Sequence, residues 1–234
     1  MSTPSDSPSS SVQEPPIAVL LGLPFHDLTP DEALDECRHA LNGKQPQYFV
    51  TANVDFAAQA YRNPALRVIF FYAHRIFCDG MPLVWLSRLL GHPLRARVTG
   101  ADLVPALLKL CADEGKRVYF FGSDHKTLAE VVAILGERMP DLNICGYESP
   151  PMGQIDEWDN FGILHRMRKN RADLLLLALG CPKQELWIHR YHEQCGAKLS
   201  IGIGASLDFI SGKQVRAPRW MQKTGLEWMW RMGT

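Results

Sequence analysis

Short apolar stretches alternate along the chain with longer segments whose apolar residues follow a helical spacing. The apolar stretches are bounded by Gly, Pro and polar residues, as strands usually are. We predict strands over residues 17–21, 48–50, 76–78, 117–121, 143–147, 173–179 and 198–203. Helices are predicted over 54–62, 82–90, 101–114, 124–139, 155–170 and 182–194. Strands that alternate with helices predict an α/β, Rossmann-like fold, in which a mainly parallel sheet carries helices on both faces.

Two further helices are predicted from their end signals. Thr29-Pro30-Asp31-Glu32 is a capping box with Pro at the first helical position, and Gly43 closes that helix. Asn63-Pro64 opens the next one. Residues 149–153 are the segment expected to form the longest loop.

A parallel sheet with right-handed crossovers brings its strand-end loops to one edge. Asp79 follows the apolar residues 76–78 and precedes a helical run, and Gly80 beside it allows a sharp turn. Ligands of open α/β sheets bind at this edge, so Asp79 is our candidate general base. The residues expected to converge there are Thr51, Asn53, Asp79, Gly122, Gly180 and Gly204.

Three segments are expected within the chain. Residues 1–16 are rich in Ser and Pro and predict a disordered tail without the features of a signal peptide. Residues 17–217 are predicted to form a single α/β domain, and residues 218–234 a basic, Trp-rich helix. The apolar runs 17–21 and 174–179 are far shorter than the roughly 20 residues that span a bilayer.

Charge is balanced over the whole chain but uneven along it. The 25 basic and 25 acidic residues give no global field for nucleic acid. The C-terminal end is basic and contains Lys213, Arg216, Arg219, Lys223 and Arg231. Together with Trp220, Trp228 and Trp230, this segment suits an anionic lipid surface or a phosphate-bearing partner. Packing of the Trp side chains in the core is the alternative.

Several classes of site are not supported by the sequence. The six cysteines include no Cys-x-x-Cys pair, which favours reduced thiols in a cytosolic protein. The histidines and carboxylates indicate no metal site, and neither an Asp-x-Asp pattern nor a Walker loop is present. Leu207 stands where the third glycine of a dinucleotide fingerprint after Gly202 and Gly204 would be, so a nicotinamide oxidoreductase is disfavoured. We therefore expect no cofactor and no metal.

Groups that could bind an anion follow the predicted strands. The glycines of the strand–helix junctions, Gly122, Gly180 and Gly204, would expose backbone amides at helix N-termini. Lys183 could neutralise a phosphate, and Gln184 could bond a sugar hydroxyl or a uracil edge. Each could equally be an ordinary residue of a turn or of a first helical turn. Arg97 could hold a leaving diphosphate, or form an ion pair with Asp102.

Six motifs in order carry a family resemblance. They are Thr51-Ala52-Asn53-Val54-Asp55-Phe56, Asp79-Gly80-Met81, Arg97-Val98-x-Gly100-x-Asp102-Leu103, Gly180-x-Pro182-Lys183-Gln184-Glu185, Asp208-Phe209-Ile210-x-Gly212 and Arg216-Ala217-Pro218-Arg219-Trp220-Met221. The chain resembles the WecG/TagA/CpsF family of bacterial glycosyltransferases from about residue 17 to 231.

The resemblance implies a metal-independent, inverting transferase. Such an enzyme moves a sugar, often of the N-acetylmannosamine type, from a UDP-sugar to a polyprenyl-diphosphate-linked saccharide at the cytoplasmic membrane face. By position, Asp79 matches the proposed base, Thr51 and Asn53 the pocket, Arg97 a phosphate or sugar contact, and Gln184 a polar pocket residue. The remaining substrate-binding candidates are Gly122, Lys183, Gly204, Asp208, Arg216 and Arg219.

Relatives usually continue into a longer basic, aromatic appendage, so residues 218–234 are expected to be the start of a shortened one. A cytoplasmic, peripheral location on an anionic membrane surface is expected, and self-association is an open alternative use of the apolar surface. The alternative function is a non-catalytic nucleotide-sugar binding protein that lost activity with this appendage.

Overall fold

The structure is a computed structural model that describes residues 14–218 together with Met221 and Trp230. Its strands are β1 (Ile17–Leu20), β2 (Leu23–His26), β3 (Gln47–Ala52), β4 (Arg75–Cys78), β5 (Arg117–Gly122), β6 (Asn143–Glu148), β7 (Leu174–Ala178) and β8 (Leu199–Gly202). Its α-helices are α1 (Pro30–Asn42), α2 (Val54–Arg62), α3 (Pro64–Tyr72), α4 (Met81–Leu89), α5 (Gly100–Asp113), α6 (His125–Arg138), α7 (Asn160–Asn170), α8 (Lys183–Tyr191) and α9 (Ser206–Ser211).

Six strands form one parallel sheet in the order β4-β3-β8-β7-β5-β6. The chain fills one edge with β4, moves to the other with β5 and β6, and then places β7 and β8 in the middle. All carboxyl ends of these strands therefore lie at the same edge of the sheet. The predicted α/β, Rossmann-like architecture is confirmed.

The sheet is covered on both faces, which is why the central strand β7 is apolar at every position. One hydrophobic cluster joins the sheet to α2, α3, α4, α7 and α8 through residues such as Phe56, Phe70 and Trp187. The other joins it to α1, α5 and α6 through residues such as Leu107 and Leu128. Burial on both sides leaves the carboxyl edge as the place where polar side chains can gather.

The first predicted strand forms, but outside the main sheet. β1 pairs antiparallel with β2, and the two make a separate hairpin. The sequence did not indicate β2, because its four residues include Pro24 and alternate too briefly to show a period. His26 at its end accepts a hydrogen bond from the backbone N–H of Ile76 at 3.0 Å, which ties the hairpin to β4.

The helix ends agree with the cap signals in most places. The capping box at Thr29 forms, and Asn63 caps α3. The predicted helix over 155–170 is divided, because a short 3-10 turn at Ile155–Glu157 precedes α7. α8 ends three residues before the predicted limit, and α9 was not predicted.

Two expected segments lie largely outside the described residues. These are the tail over residues 1–16, of which only 14–16 are described, and the helix over 218–234, of which 218, 221 and 230 are. Arg219, Trp220 and Trp228 are among the residues that are not described. In the part of the chain that the structure describes, no helix has the length and apolar character needed to cross a bilayer.

Candidate active site

A cavity of about 960 Å³ opens where the parallel strands end. Its wall comes from the residues after β3, β4, β5, β7 and β8 and from the first turns of the helices that follow. The candidate site residues that line it are Thr51, Asn53, Asp79, Arg97, Gln184, Gly204 and Asp208. The topology therefore brings residues from motifs far apart in the chain into one cavity.

Asp79 is fixed by the turn between β4 and α4. Its backbone N–H donates to the carbonyl of Ala52 at 2.9 Å, which extends the β3–β4 pairing by one residue. Gly80 follows with φ of +148°, a conformation that favours glycine and lets the chain turn directly into α4. Asp79 is therefore positioned by the end of β4 on one side and the start of α4 on the other.

Thr51 and Asn53 each use one side-chain oxygen to hold the scaffold. The Thr51 hydroxyl donates to the carbonyl of Gly202 at 3.0 Å and joins β3 to β8. The Asn53 Oδ1 accepts from the backbone N–H of Phe56 at 2.9 Å and caps α2. Both side chains line the cavity from fixed positions.

Two arginines meet one carboxylate beside the cavity. Asp102 accepts from Arg216 at 2.6 Å, and its other oxygen lies 3.9 Å from Arg97. Desolvation works to raise the pKa of Asp102, but hydrogen bonds from Arg216 and Thr99 outweigh it and hold the pKa below its usual value. Arg97 lines the cavity, whereas Arg216 lies over the Phe209 ring and is not part of the lining. Asp102 therefore holds two guanidinium groups beside the cavity, and one of them, that of Arg97, belongs to its lining.

The wall near β5 carries a second ion pair. Lys213 donates to Asp124 at 2.9 Å, and both residues line the cavity together with Asp208. The Asp124 carboxylate also accepts from the backbone N–H of Thr127 and caps α6, and these bonds depress its pKa. Desolvation raises the pKa of Asp208. The sequence analysis placed Lys213 only in a basic C-terminal cluster and Asp124 only at the start of the predicted helix over 124–139.

Gln184 and Glu185 lie in the first turn of α8 and are almost fully buried, at 3% and 2% exposure. Gln184 accepts a hydrogen bond from the backbone N–H of Gly204 at 3.1 Å. Desolvation raises the pKa of Glu185 to about 7. Glu185 was not among the predicted site residues, because a glutamate in a first helical turn is usually exposed.

Four candidates are not brought to the cavity within the described structure. Lys183 donates to the carbonyl of Gly153 at 2.9 Å and lies over the Trp158 ring, away from the lining. Gly122 serves packing, since a Cβ there would lie 2.6 Å from the carbonyl of Ala178. Arg216 contacts Asp102 as described above, and Arg219 lies outside the described residues.

The His, Cys, Asp and Glu side chains of the described residues form no group of three or more that could hold a metal ion. Positive charge at the cavity comes from Arg97 and Lys213, each of which already contacts a carboxylate. The N-termini of α5, α6 and α9 also lie at the cavity and add backbone N–H groups to its surface.

Comparison with known proteins gives consistent matches. A model of the glycosyl transferase WecG/TagA/CpsF family matches residues 18–234. An N-acetylglucosaminyldiphosphoundecaprenol N-acetyl-beta-D-mannosaminyltransferase of Bacillus spizizenii is 32% identical over 83% of this chain and 74% of its own length. Proteins of the same name from Bacillus subtilis and Staphylococcus aureus are 29% and 26% identical, over 83% and 91% of this chain and 74% and 82% of their own lengths.

Proposed function

The chain belongs to the WecG/TagA/CpsF family of glycosyltransferases, and from that membership we propose the reaction that it catalyses. It transfers a sugar from a UDP-sugar to a saccharide linked to polyprenyl diphosphate, in the synthesis of a cell-surface polysaccharide. The sugar is of the N-acetylmannosamine type or a related hexose. The transfer inverts the anomeric configuration and uses no metal ion.

One observation carries this proposal: Asp79 and Arg97 line the same cavity at the carboxyl edge of the sheet. An inverting transfer needs a base at the acceptor hydroxyl and positive charge at the leaving group. A carboxylate and a guanidinium in one cavity supply both. The volume of about 960 Å³ is at the upper end of the range for ligand pockets, which suits a nucleotide sugar and the end of an acceptor.

In the proposed step, Asp79 accepts the proton of the acceptor hydroxyl while the oxygen attacks the anomeric carbon. The new carbon–oxygen bond forms on the face opposite the departing diphosphate. The bond from the anomeric carbon to the diphosphate oxygen breaks, and UDP leaves with the electron pair. The products are the inverted glycoside, UDP and a protonated Asp79, which then releases its proton to solvent.

The developing charge on UDP is stabilised by the guanidinium of Arg97, which lines the cavity. Arg97 is held beside the cavity together with Arg216 by the carboxylate of Asp102. The N-terminus of α5, at Gly100, adds backbone N–H groups to the same side. Thr51, Asn53 and Gln184 then bind polar groups of the donor.

We propose the acceptor and the location from the names of the relatives, because those names include a diphosphoundecaprenol-linked substrate. A lipid-linked acceptor requires an enzyme that works at the membrane surface. We propose peripheral binding at the cytoplasmic face through the basic, Trp-containing residues 218–234, whose lysine and arginine side chains suit anionic lipids.

The test is acceptor-dependent release of UDP from UDP-N-acetylmannosamine and other UDP-sugars, measured with chelator present throughout. We expect release that survives the chelator and falls by on the order of 10²–10⁴-fold in Asp79→Asn, the usual range for loss of a general base. Asp113→Asn is the matched control, because Asp113 is exposed and pairs with Lys109 outside the cavity. It should release UDP at the wild-type rate.

Each part of the proposal has its own contrary result. Full activity of Asp79→Asn would show that Asp79 is not the general base. Loss of release in chelator, with recovery on adding Mg²⁺ or Mn²⁺, would show that a metal takes part. UDP binding without release from any donor would contradict the transfer and favour the binding-protein alternative.

A further inference from the structure

The amide of Gln184 is held at both of its ends. Its Oε1 accepts from the backbone N–H of Gly204 at 3.1 Å. Its Nε2 donates to Oε1 of Glu185 at 2.7 Å. Gly202 leaves the space in which the amide lies, since a Cβ there would come within 2.8 Å of Nε2. These partners therefore fix which end of the amide is the oxygen and which is the nitrogen.

We propose that Glu185 is a positioning residue that fixes the orientation of the Gln184 amide. With Oε1 turned to Gly204 and one N–H turned to Glu185, Gln184 has one N–H left for a ligand. The cavity thus offers a donor at this point, and the matching ligand group is an oxygen acceptor, such as a sugar or diphosphate oxygen. This inference rests on the proposed function and adds a residue to it.

Glu185 is a suitable partner because its Oε1 can accept whether the carboxyl is ionised or neutral. Desolvation raises the pKa of Glu185 to about 7, so both forms are populated near neutrality. Within the described residues, Oε2 has no hydrogen-bond partner and is available to carry the proton. The orientation of Gln184 is then independent of the protonation state of Glu185.

A purely structural explanation makes a different prediction. A carboxyl that is 2% exposed and has one oxygen without a partner in the described structure is costly to bury. Replacing it with an apolar side chain of similar size removes this cost, which offsets the stability lost with the hydrogen bond from Gln184, so Tm should be about unchanged. A role in stability alone therefore predicts that Glu185→Met folds well and binds the donor normally.

The experiment measures KM for UDP-N-acetylmannosamine, kcat and Tm in a set of full-chain variants. Glu185→Met, which removes the acceptor, should raise KM about fivefold to tenfold, as expected for a lost hydrogen bond, without lowering Tm. Glu185→Gln keeps an acceptor oxygen and should restore KM to within about threefold of wild type. Gln184→Met should raise KM as much as Glu185→Met, and the double variant should be no worse than either, since the two act as a unit.

Glu148→Met is the matched control for replacing a glutamate. Glu148 bonds Tyr119 and Arg166 outside the cavity lining, so its loss should lower Tm and leave KM unchanged. Wild-type KM in Glu185→Met, equal losses in Glu185→Met and Glu185→Gln, or additive losses with Gln184→Met would each overturn the positioning role. Turnover by the wild type and its loss in Asp79→Asn test the proposed function separately.

Discussion

Adding one methyl group at Gly202 should disturb the site mainly through Gln184, which supplies the three atoms nearest to the new Cβ. The backbone of Gly202 does not have a positive φ, so alanine is tolerated by the chain itself. The new Cβ would lie 2.8 Å from Nε2, 2.9 Å from Cδ and 3.1 Å from Cγ of Gln184. Contacts this short force the amide to move by roughly half an ångström or more, which weakens its bonds to Gly204 and Glu185.

The magnitude follows from those two bonds. Each contributes about 0.5–1.5 kcal/mol net, so weakening both costs about 1–3 kcal/mol. The smaller entropy of alanine in the unfolded chain returns about 0.4–1 kcal/mol. We expect the free energy of unfolding to fall by about 1–2 kcal/mol in Gly202→Ala, which for a chain of this size lowers Tm by about 2–8 °C.

The assay is urea unfolding of Gly202→Ala, Gln184→Ala and the double variant. In the Gln184→Ala background the clash is gone, so the glycine substitution should be neutral or stabilising, and the cycle should be strongly non-additive. Gly136→Ala is the control, because Gly136 lies inside α6 with nothing within 4 Å of a new Cβ and should gain about 0.5–1 kcal/mol. Additive effects, or a Gly202→Ala protein as stable as the wild type, would refute the held position of Gln184.

Three further predictions concern the scaffold. Desolvation, and next the charge of Arg75, lower the pKa of His26 from 6.5 to about 4. As the pH drops below about 6.5, the unfolded chain therefore takes up a proton that the folded chain does not, and the free energy of unfolding decreases. His26 alone contributes a loss of about 2 kcal/mol between pH 8 and pH 5. Urea unfolding at the two pH values measures it as the change in the wild type minus the change in His26→Gln, and equal changes in the two proteins would contradict it. Gly122→Ala places a Cβ 2.6 Å from the Ala178 carbonyl at a φ of +109°, and should lose about 3 kcal/mol or more; a loss under about 1 kcal/mol in urea unfolding would contradict the packing. Thr29→Ala removes the cap of α1 and should cost about 1 kcal/mol by the same measurement, with Thr29→Ser close to wild type.

The sequence predicted the sheet well because most of its strands are buried on both faces. A strand such as Leu174–Ala178 is apolar at every position, and polar residues mark where it stops. Cap residues then located most helix starts. β2 was missed for the opposite reason, since four residues that include Pro24 carry too little pattern to be seen without their partner strand.

For the candidate site, the sequence could predict only which residues the strand topology brings to the same edge. Because β3, β4 and β8 end at the same edge, the backbone brings Thr51, Asp79 and Gly204 together, independently of their side-chain orientations. The direction of a helical side chain is a finer property: Lys183 and Gln184 are neighbours, yet only Gln184 lines the cavity. Burial of Glu185 depends on how α8 packs against the sheet, which no local pattern records.

The residues that line the cavity are also the ones that join its elements. The Thr51 hydroxyl links β3 to β8, Asn53 caps α2, and Gln184 bonds the loop after β8. Bonds of this kind hold polar groups in place before a ligand arrives, and preorganised groups stabilise a transition state without further rearrangement. The backbone of Asp79 is positioned by its bond to β3 and by the turn at Gly80. Substitutions at the linking residues should therefore lower both stability and activity, whereas Asp79→Asn keeps the backbone bond and the size of the side chain and should lower activity far more than Tm.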